Sequence, residues 1–86
     1  MEYSNKEYIA ALKAILNLAD RLPIVNFKLD SLTANIYVEV GPDERLINLY
    51  IDEVTEKRIL EEYNGFVEYF NRICKEAELE EAGQWN

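Results

Sequence analysis

The sequence has no histidine and a single cysteine, Cys74, among its 86 residues. Without histidine, the chain lacks the most common general base, the most common metal ligand and the side chain that titrates near neutral pH. One thiol closes no intramolecular disulfide, which excludes the scaffold of a small secreted disulfide-rich protein. Cys74 falls on the apolar side of a helical pattern, so we expect it to be a buried apolar residue. A catalytic thiol would also need a histidine as its base. We expect no metal site and no cofactor.

Long apolar runs are also absent from the sequence. The first seven residues lack the basic segment and the apolar run of a signal peptide. No apolar stretch approaches the roughly 20 residues that span a membrane. We therefore expect no membrane partner and a cytoplasmic location.

Basic residues are scarce: nine lysines and arginines stand against 17 acidic residues, which gives a net charge of −8. Residues 1–40 hold four basic and five acidic groups, whereas residues 41–86 hold five basic and twelve acidic groups. Direct binding to DNA or RNA requires basic side chains that displace phosphate counterions, so we expect no direct nucleic-acid binding. A protein partner with a basic surface would instead be attracted to this chain.

Apolar residues at helical spacing predict a first amphipathic helix over about residues 5–21. Ser4 and Glu7 have the spacing of a capping box at its start. Pro23 follows the last apolar residue of the pattern and indicates the end of the helix.

A second amphipathic helix is predicted over about residues 55–80, with Thr55 as its cap. Gly83 is a candidate stop for this helix, and residues 81–86 are expected to form an acidic flexible tail. Within it, Trp85 is either loosely ordered or an anchor that docks on the core or on a partner. The apolar stripe of this helix alternates steps of four and three residues: Ile59, Tyr63, Phe66, Phe70, Ile73 and Ala77.

Between the helices, apolar and polar residues alternate with period two over residues 24–30, 32–40 and 45–52. Each run predicts a strand with one apolar face, and Val25 belongs to that face of the first strand.

The residues from Gly41 to Glu44 predict the turn between the second and third strands, because Pro42 fixes φ at its second position. Pairing Val40 with Arg45 keeps all the apolar side chains on one face, which gives an antiparallel meander.

The predicted fold is α+β, in the order α-β-β-β-α, with residues 1–86 forming one domain. The sheet has one apolar face and each helix has one apolar stripe. The packing that buries all three is a two-layer arrangement with both helices on one face of the three-stranded antiparallel sheet. The opposite face of the sheet is then open to water or to a partner.

Two surfaces are candidates for binding a partner: the open sheet face, which carries tyrosines, and the acidic exposed side of the second helix. Tyrosine is favoured at interfaces, although it is also common in strands for its packing alone. Acidic helix faces also occur simply as solvated surfaces. The candidate residues are Tyr37, Glu39, Asp43, Glu44, Asn48, Tyr50, Asp52, Glu53, Glu61, Glu62, Glu68 and Tyr69.

The element order resembles that of the double-stranded-RNA-binding domain, and Gly41-Pro42 is similar to a Gly-Pro loop of that family. That family has a basic cluster at the start of its last helix, where residues 55–58 read Thr-Glu-Lys-Arg here. Its Gly-Pro loop also joins the first two strands, not the second and third. We assign no membership in that family.

Size, charge and element order resemble those of small acidic inhibitors made by bacteriophages, such as anti-CRISPR and anti-restriction proteins. The resemblance implies a module that occupies a basic, nucleic-acid-handling surface of another protein. It also implies a location in a bacterial or archaeal cell, with the gene carried by the cell or by a phage. The alternative is a structural domain that forms a homodimer through its open sheet face or through the edge strand Val25–Asp30. A catalytic pair of carboxylates acts across a cleft, and neighbours in sequence such as Asp52 and Glu53 give no sign of one. We therefore expect no enzyme activity.

Overall fold

The computed structural model describes the backbone of residues 4–84 and the side chains of residues 4–78. The order α-β-β-β-α and the antiparallel sheet order β1-β2-β3 confirm the predicted α+β fold. A short 3₁₀ turn over Ile51–Glu53 joins the last strand to the last helix. The elements are α1 (Asn5–Leu18), β1 (Ile24–Leu29), β2 (Thr33–Val40), β3 (Asp43–Tyr50) and α2 (Glu56–Gln84).

One face of the sheet is covered by the helices and the other is open. Alternate residues of β2 and β3 are buried, and they form a single apolar cluster with residues of both helices. Because there is one cluster, α1 and α2 lie on the same face, as the apolar pattern predicts. The fully buried side chains at its centre are Ile15, Leu18, Ile36, Val38, Ile47, Ile51 and Ile59.

Helix α1 begins after the predicted cap, Ser4, and ends before the predicted last residue. The Ser4 hydroxyl accepts a hydrogen bond from the backbone N–H of Glu7 at 3.4 Å. The helix ends at Leu18, and the chain turns before the predicted end at residue 21. In that turn Arg21 reaches the start of α2 and pairs with the Glu56 carboxylate at 2.5 Å. The contact ties the end of α1 to the first turn of α2.

A bulge in β1 corrects one prediction of the strand pattern. The register between β1 and β2 shifts between Ile24 and Asn26, and Val25 is the unpaired residue. Ile24 therefore faces the core, while Val25 is 46% exposed, contrary to its predicted position on the apolar face.

The hairpin between β2 and β3 is tighter than the sequence predicts. Val40 pairs with Asp43, not with Arg45, so the predicted register is wrong by two residues. Gly41 has φ of +62°, and proline fixes a negative φ at the next position. This combination is typical of the type II′ turn, whose twist matches that of two-residue hairpins. A shift of two residues leaves every side chain on its predicted face.

Asp30 organises the turn between β1 and β2. Its carboxylate accepts hydrogen bonds from the backbone N–H groups of Leu32 at 2.8 Å and Thr33 at 2.7 Å, and from the Thr33 hydroxyl at 2.9 Å. These bonds, the one from Leu32 first, hold the pKa of Asp30 below its ordinary value of 3.8. The charged carboxylate is therefore favoured in the folded state.

We expect Asp30→Ala to lower the thermal midpoint at neutral pH and to lose much of that effect in acid. Because the folded pKa is depressed, the stabilisation is complete above 3.8 and is lost as the pH falls through the lower folded value. Thermal unfolding of both proteins at neutral pH and well below pH 3.8 tests this. The exposed Asp20 supplies a control, since Asp20→Ala should change little. A gap between wild type and Asp30→Ala that stays constant with pH would contradict the role of the charge.

Helix α2 is much longer than the sheet that it covers. Its 29 residues span about 43 Å at 1.5 Å per residue. The molecule measures 61 × 27 × 18 Å, and its radius of gyration of 16.5 Å exceeds the roughly 12 Å expected for a compact chain of this length. The half-buried Phe70 is the last residue of α2 against the hairpin, and residues 71–78 are all exposed. A projecting segment, residues 71–84, therefore extends beyond the sheet.

The projecting segment changes two predictions for the end of the chain. Cys74 is exposed, not buried, because no part of the sheet lies beneath it. The helix continues through Gly83 to Gln84, where the sequence predicts a stop and a tail. The prediction for Trp85 lies outside the described residues.

Candidate protein-binding surface

The open sheet face is built from the outward residues of all three strands. On the central strand β2 these are Thr33, Asn35, Tyr37 and Glu39, which alternate with buried alanine, isoleucine and valine. Each outward residue of β2 has a cross-strand neighbour, so the face is organised in rows that run across the sheet.

The middle row carries one aromatic and one large apolar side chain. Tyr37 is flanked by Asn26 on β1 and by Leu46 on β3. Leu46 is 46% exposed, and Tyr50, opposite Thr33 near one end of the face, is 56% exposed. Tyrosine is enriched at protein interfaces, so these side chains are candidates for contact with a partner.

A polar row lies next to the middle row. Lys28, Asn35 and Asn48 are neighbours across the three strands. The side-chain amide of Asn48 donates to the side-chain carbonyl of Asn35 at 2.5 Å. This bond holds both amides in place on the open face.

At the hairpin end of the face two glutamates stand directly opposite each other. Glu39 on β2 pairs with Glu44 on β3 in the strand register, and both side chains are exposed. Side chains directly opposite in an antiparallel pair have Cβ atoms about 5 Å apart, and like charges there are destabilising. Among residues 4–78, neither glutamate forms an ion pair. The pair therefore concentrates uncompensated negative charge beside Tyr37 and Leu46.

The acidic residues of α2 form a different surface. The helix lies on the covered face of the sheet, so its exposed side points away from the open face. Arg58 pairs with Glu62 at 2.6 Å and lies 3.9 Å from Glu61, which offsets part of their charge. Glu68 and Tyr69 are exposed farther along, where Arg72 and a lysine interrupt the acidic residues. This side of α2 carries mixed charge.

The remaining acidic candidates belong to neither surface. Asp43 lies on the covered side of β3 at the hairpin and is 3.4 Å from the Arg45 guanidinium. Asp52 and Glu53 lie in the 3₁₀ turn, where the Glu53 carboxylate accepts from the backbone N–H of Tyr50 at 3.1 Å. The predicted residues that share the open sheet face are Tyr37, Glu39, Glu44, Asn48 and Tyr50.

The structure places further residues on the open face beside the predicted site residues. Leu46 and Asn26 flank Tyr37, and Lys28 extends the amide row. The strict alternation of the strands predicts all three on this face, and the strand register agrees. Val25 has no such signal, because only the bulge in β1 turns it outward.

The rest of the described surface offers little that suggests small-molecule chemistry. A shallow depression at the start of α2 is lined by two acidic residues, two basic residues and Thr55, a balance that favours no one sign of ligand. Within the described residues, no group of three or more histidine, cysteine, aspartate or glutamate side chains is arranged to hold a metal ion. None of the helices in residues 4–84 has the length and apolarity needed to cross a lipid bilayer.

Comparisons with known proteins give no further assignment: no family model, curated protein or solved structure matches this chain.

Proposed function

We propose that this chain is a binding module that inhibits or regulates another protein by covering a basic surface of it with its open sheet face. The partner is one that handles nucleic acid, and the module occupies the surface that the nucleic acid would use. This is the mode of action of the small acidic phage inhibitors of CRISPR and restriction systems that the chain resembles in size, charge and element order.

The observation that carries the proposal is the Glu39–Glu44 pair at the hairpin end of a face whose one lysine, Lys28, lies two rows away. Opposed like charges cost stability in the free protein. A cation from a partner placed between them would relieve the repulsion and gain two charge-assisted contacts. Tyr37, Leu46 and Tyr50 would supply the desolvated area beside that contact.

The same face supports a second candidate function, self-association. Two copies that pair through their open faces would bury the same exposed Leu46 and Tyr50. They would also bury four glutamates in one interface, because Glu39 and Glu44 lie on that face in each copy. The cost of burying four carboxylates favours a basic partner over a second copy.

The test is competition between nucleic acid and this protein for a captured partner. We expect immobilised protein to retain a basic protein from an extract of the source cell, and we expect duplex DNA or RNA to displace it. Retention should weaken steeply as salt is raised, since exposed charges are screened. A captured partner that stays bound when its own nucleic acid is present in excess would contradict the proposed mode of action.

A further inference from the structure

The apolar stripe of α2 does not stop where the sheet stops. Ile73 is 43% exposed, and Cys74 and Ala77 are also exposed in the projecting segment. From Ile59 to Ala77 the stripe keeps alternating steps of four and three residues. That spacing is typical of a helix that packs along another helix. Packing against the sheet explains the stripe only as far as Phe70. The continuation of the stripe therefore has no partner within the described residues.

A second uncovered apolar stripe lies on the outer side of α1. Ile9 and Leu16 are each 52% exposed, and the half-buried Leu12 lies between them at steps of three and four residues. Lys6 and Lys13 border this stripe, and together with Ile9 they line a shallow depression. Among the residues with described side chains, neither lysine forms an ion pair. We call this surface the outer face of α1.

The two helical segments that bear these stripes have net charges of opposite sign. The projecting segment holds four glutamates against one arginine and one lysine, for a net charge of −2. Helix α1 holds two lysines and one glutamate, for a net charge of +1. Two projecting segments placed side by side would repel each other, whereas a projecting segment on the outer face of α1 is attracted.

The two surfaces also match in length. The projecting segment and α1 each contain 14 residues, or about 21 Å of helix. Because α2 is one continuous helix that leaves its own sheet, its projecting end does not reach the α1 of the same chain. A second copy supplies that α1, and the same contact repeats in reverse, which closes the assembly with two-fold symmetry.

We propose that two copies of this chain form a reciprocal dimer, in which the projecting segment of each α2 packs on the outer face of the other copy's α1. The dimer buries Ile9, Leu16 and Ile73 and pairs the lysines of α1 with glutamates of the partner helix. The two symmetric contacts together form one interface. To match stable, specific interfaces, it has to bury at least about 1,200 Å² in total. The open sheet faces stay free, so this inference stands apart from the proposed function.

Sedimentation of variants over a wide concentration range tests the dimer. We expect the wild type to dimerise, and we expect Ile73→Glu and Ile9→Glu each to raise the dimer dissociation constant by about tenfold or more. Both side chains are about half exposed in a single copy, so both variants should keep the circular dichroism spectrum of the wild type. Leu46→Glu, on the open sheet face, is the matched control and should leave the dimer intact. A wild-type monomer at high micromolar concentration overturns the proposal, and so does a dimer that only Leu46→Glu dissociates.

Disulfide trapping with the native Cys74 identifies the surfaces that meet. With oxidised glutathione as the oxidant, we expect Ile9→Cys or Leu16→Cys to form an interchain disulfide between the introduced thiol and Cys74 of the second copy, identified by peptide mass. Lys28→Cys, on the open sheet face, is the control and should form none. If Cys74 links only to Cys74, or if Lys28→Cys links as readily as the α1 variants, the reciprocal arrangement is wrong.

Discussion

Replacing Gly41 with alanine is expected to lower the free energy of unfolding by about 2–4 kcal/mol. Gly41 has φ of +62°, a conformation that costs an L-residue roughly 1–2 kcal/mol. A Cβ at this position would also overlap the edge of the Phe70 ring. The ring would have to move, and with it the last contact between α2 and the hairpin. Against a total stability of about 4–13 kcal/mol for a chain of this length, the loss is large.

Urea unfolding of four variants separates the two causes. Gly65→Ala is the matched control: it lies inside α2 with no atom near its added Cβ, and it should stabilise the protein by about 0.5–1 kcal/mol. Phe70→Ala should destabilise on its own, because the ring is half-buried. In the double variant, Gly41→Ala should cost less than in the wild type, because only the backbone strain remains. Strictly additive effects of the two substitutions would show that the ring and the turn are independent.

Replacing Glu39 with lysine is expected to weaken binding of a basic partner by about 10- to 100-fold and, at the same time, to stabilise the free protein. The substitution changes the Glu39–Glu44 repulsion into an attraction between opposite charges across the strands. Cross-strand pairs of this kind contribute roughly 0.2–1 kcal/mol. The opposite signs of the two effects matter, because a loss of binding through misfolding would come with a loss of stability.

Glu68→Lys is the matched control for that variant. It makes the same change of charge at an exposed glutamate, but on the outer side of α2 and not on the open sheet face. If the net charge of the protein alone attracted the partner, both variants would weaken binding equally. We expect Glu68→Lys to act mainly through salt-dependent steering and to leave the dissociation rate close to that of the wild type.

The order of elements and the faces of the strands could be predicted because the side-chain period of a strand is two. Ile36, Val38, Ile47 and Leu49 are buried as their alternation requires. The pairing register could not be predicted in this way, since a shift by two residues preserves the same alternation. The conformation of Gly41 decides the register, and the apolar pattern carries no information about that conformation.

The extent of the core is the second feature that the pattern leaves open. Helical spacing indicates which side of α2 is apolar, but not how far the sheet extends beneath it. Residues as far as Phe70 reach the hairpin, whereas Ile73 and Cys74 lie beyond it although they continue the same stripe. Their exposure follows from the length of the strands, which is a property of the whole fold.

The candidate surface was predicted in outline and not in detail. The alternation of side chains along each strand is enough to place Tyr37, Glu39 and Tyr50 on an open face. The opposition of Glu39 and Glu44 depends on the register, because pairing Val40 with Arg45 would have placed Glu39 opposite Leu46. The sequence pattern also does not show which charges form ion pairs. In the structure, Arg58 offsets two carboxylates of α2 that the sequence presents as available.

The affinity of the purified partner for wild type, Glu39→Lys and Glu68→Lys tests the central claim most directly. Calorimetric titration at one fixed salt concentration, with unfolding measured on the same preparations, gives both quantities for each protein. We expect a large loss of affinity with unchanged or higher stability for Glu39→Lys, and near wild-type affinity for Glu68→Lys. Equal affinities for wild type and Glu39→Lys would contradict the claim that the open sheet face binds a basic partner.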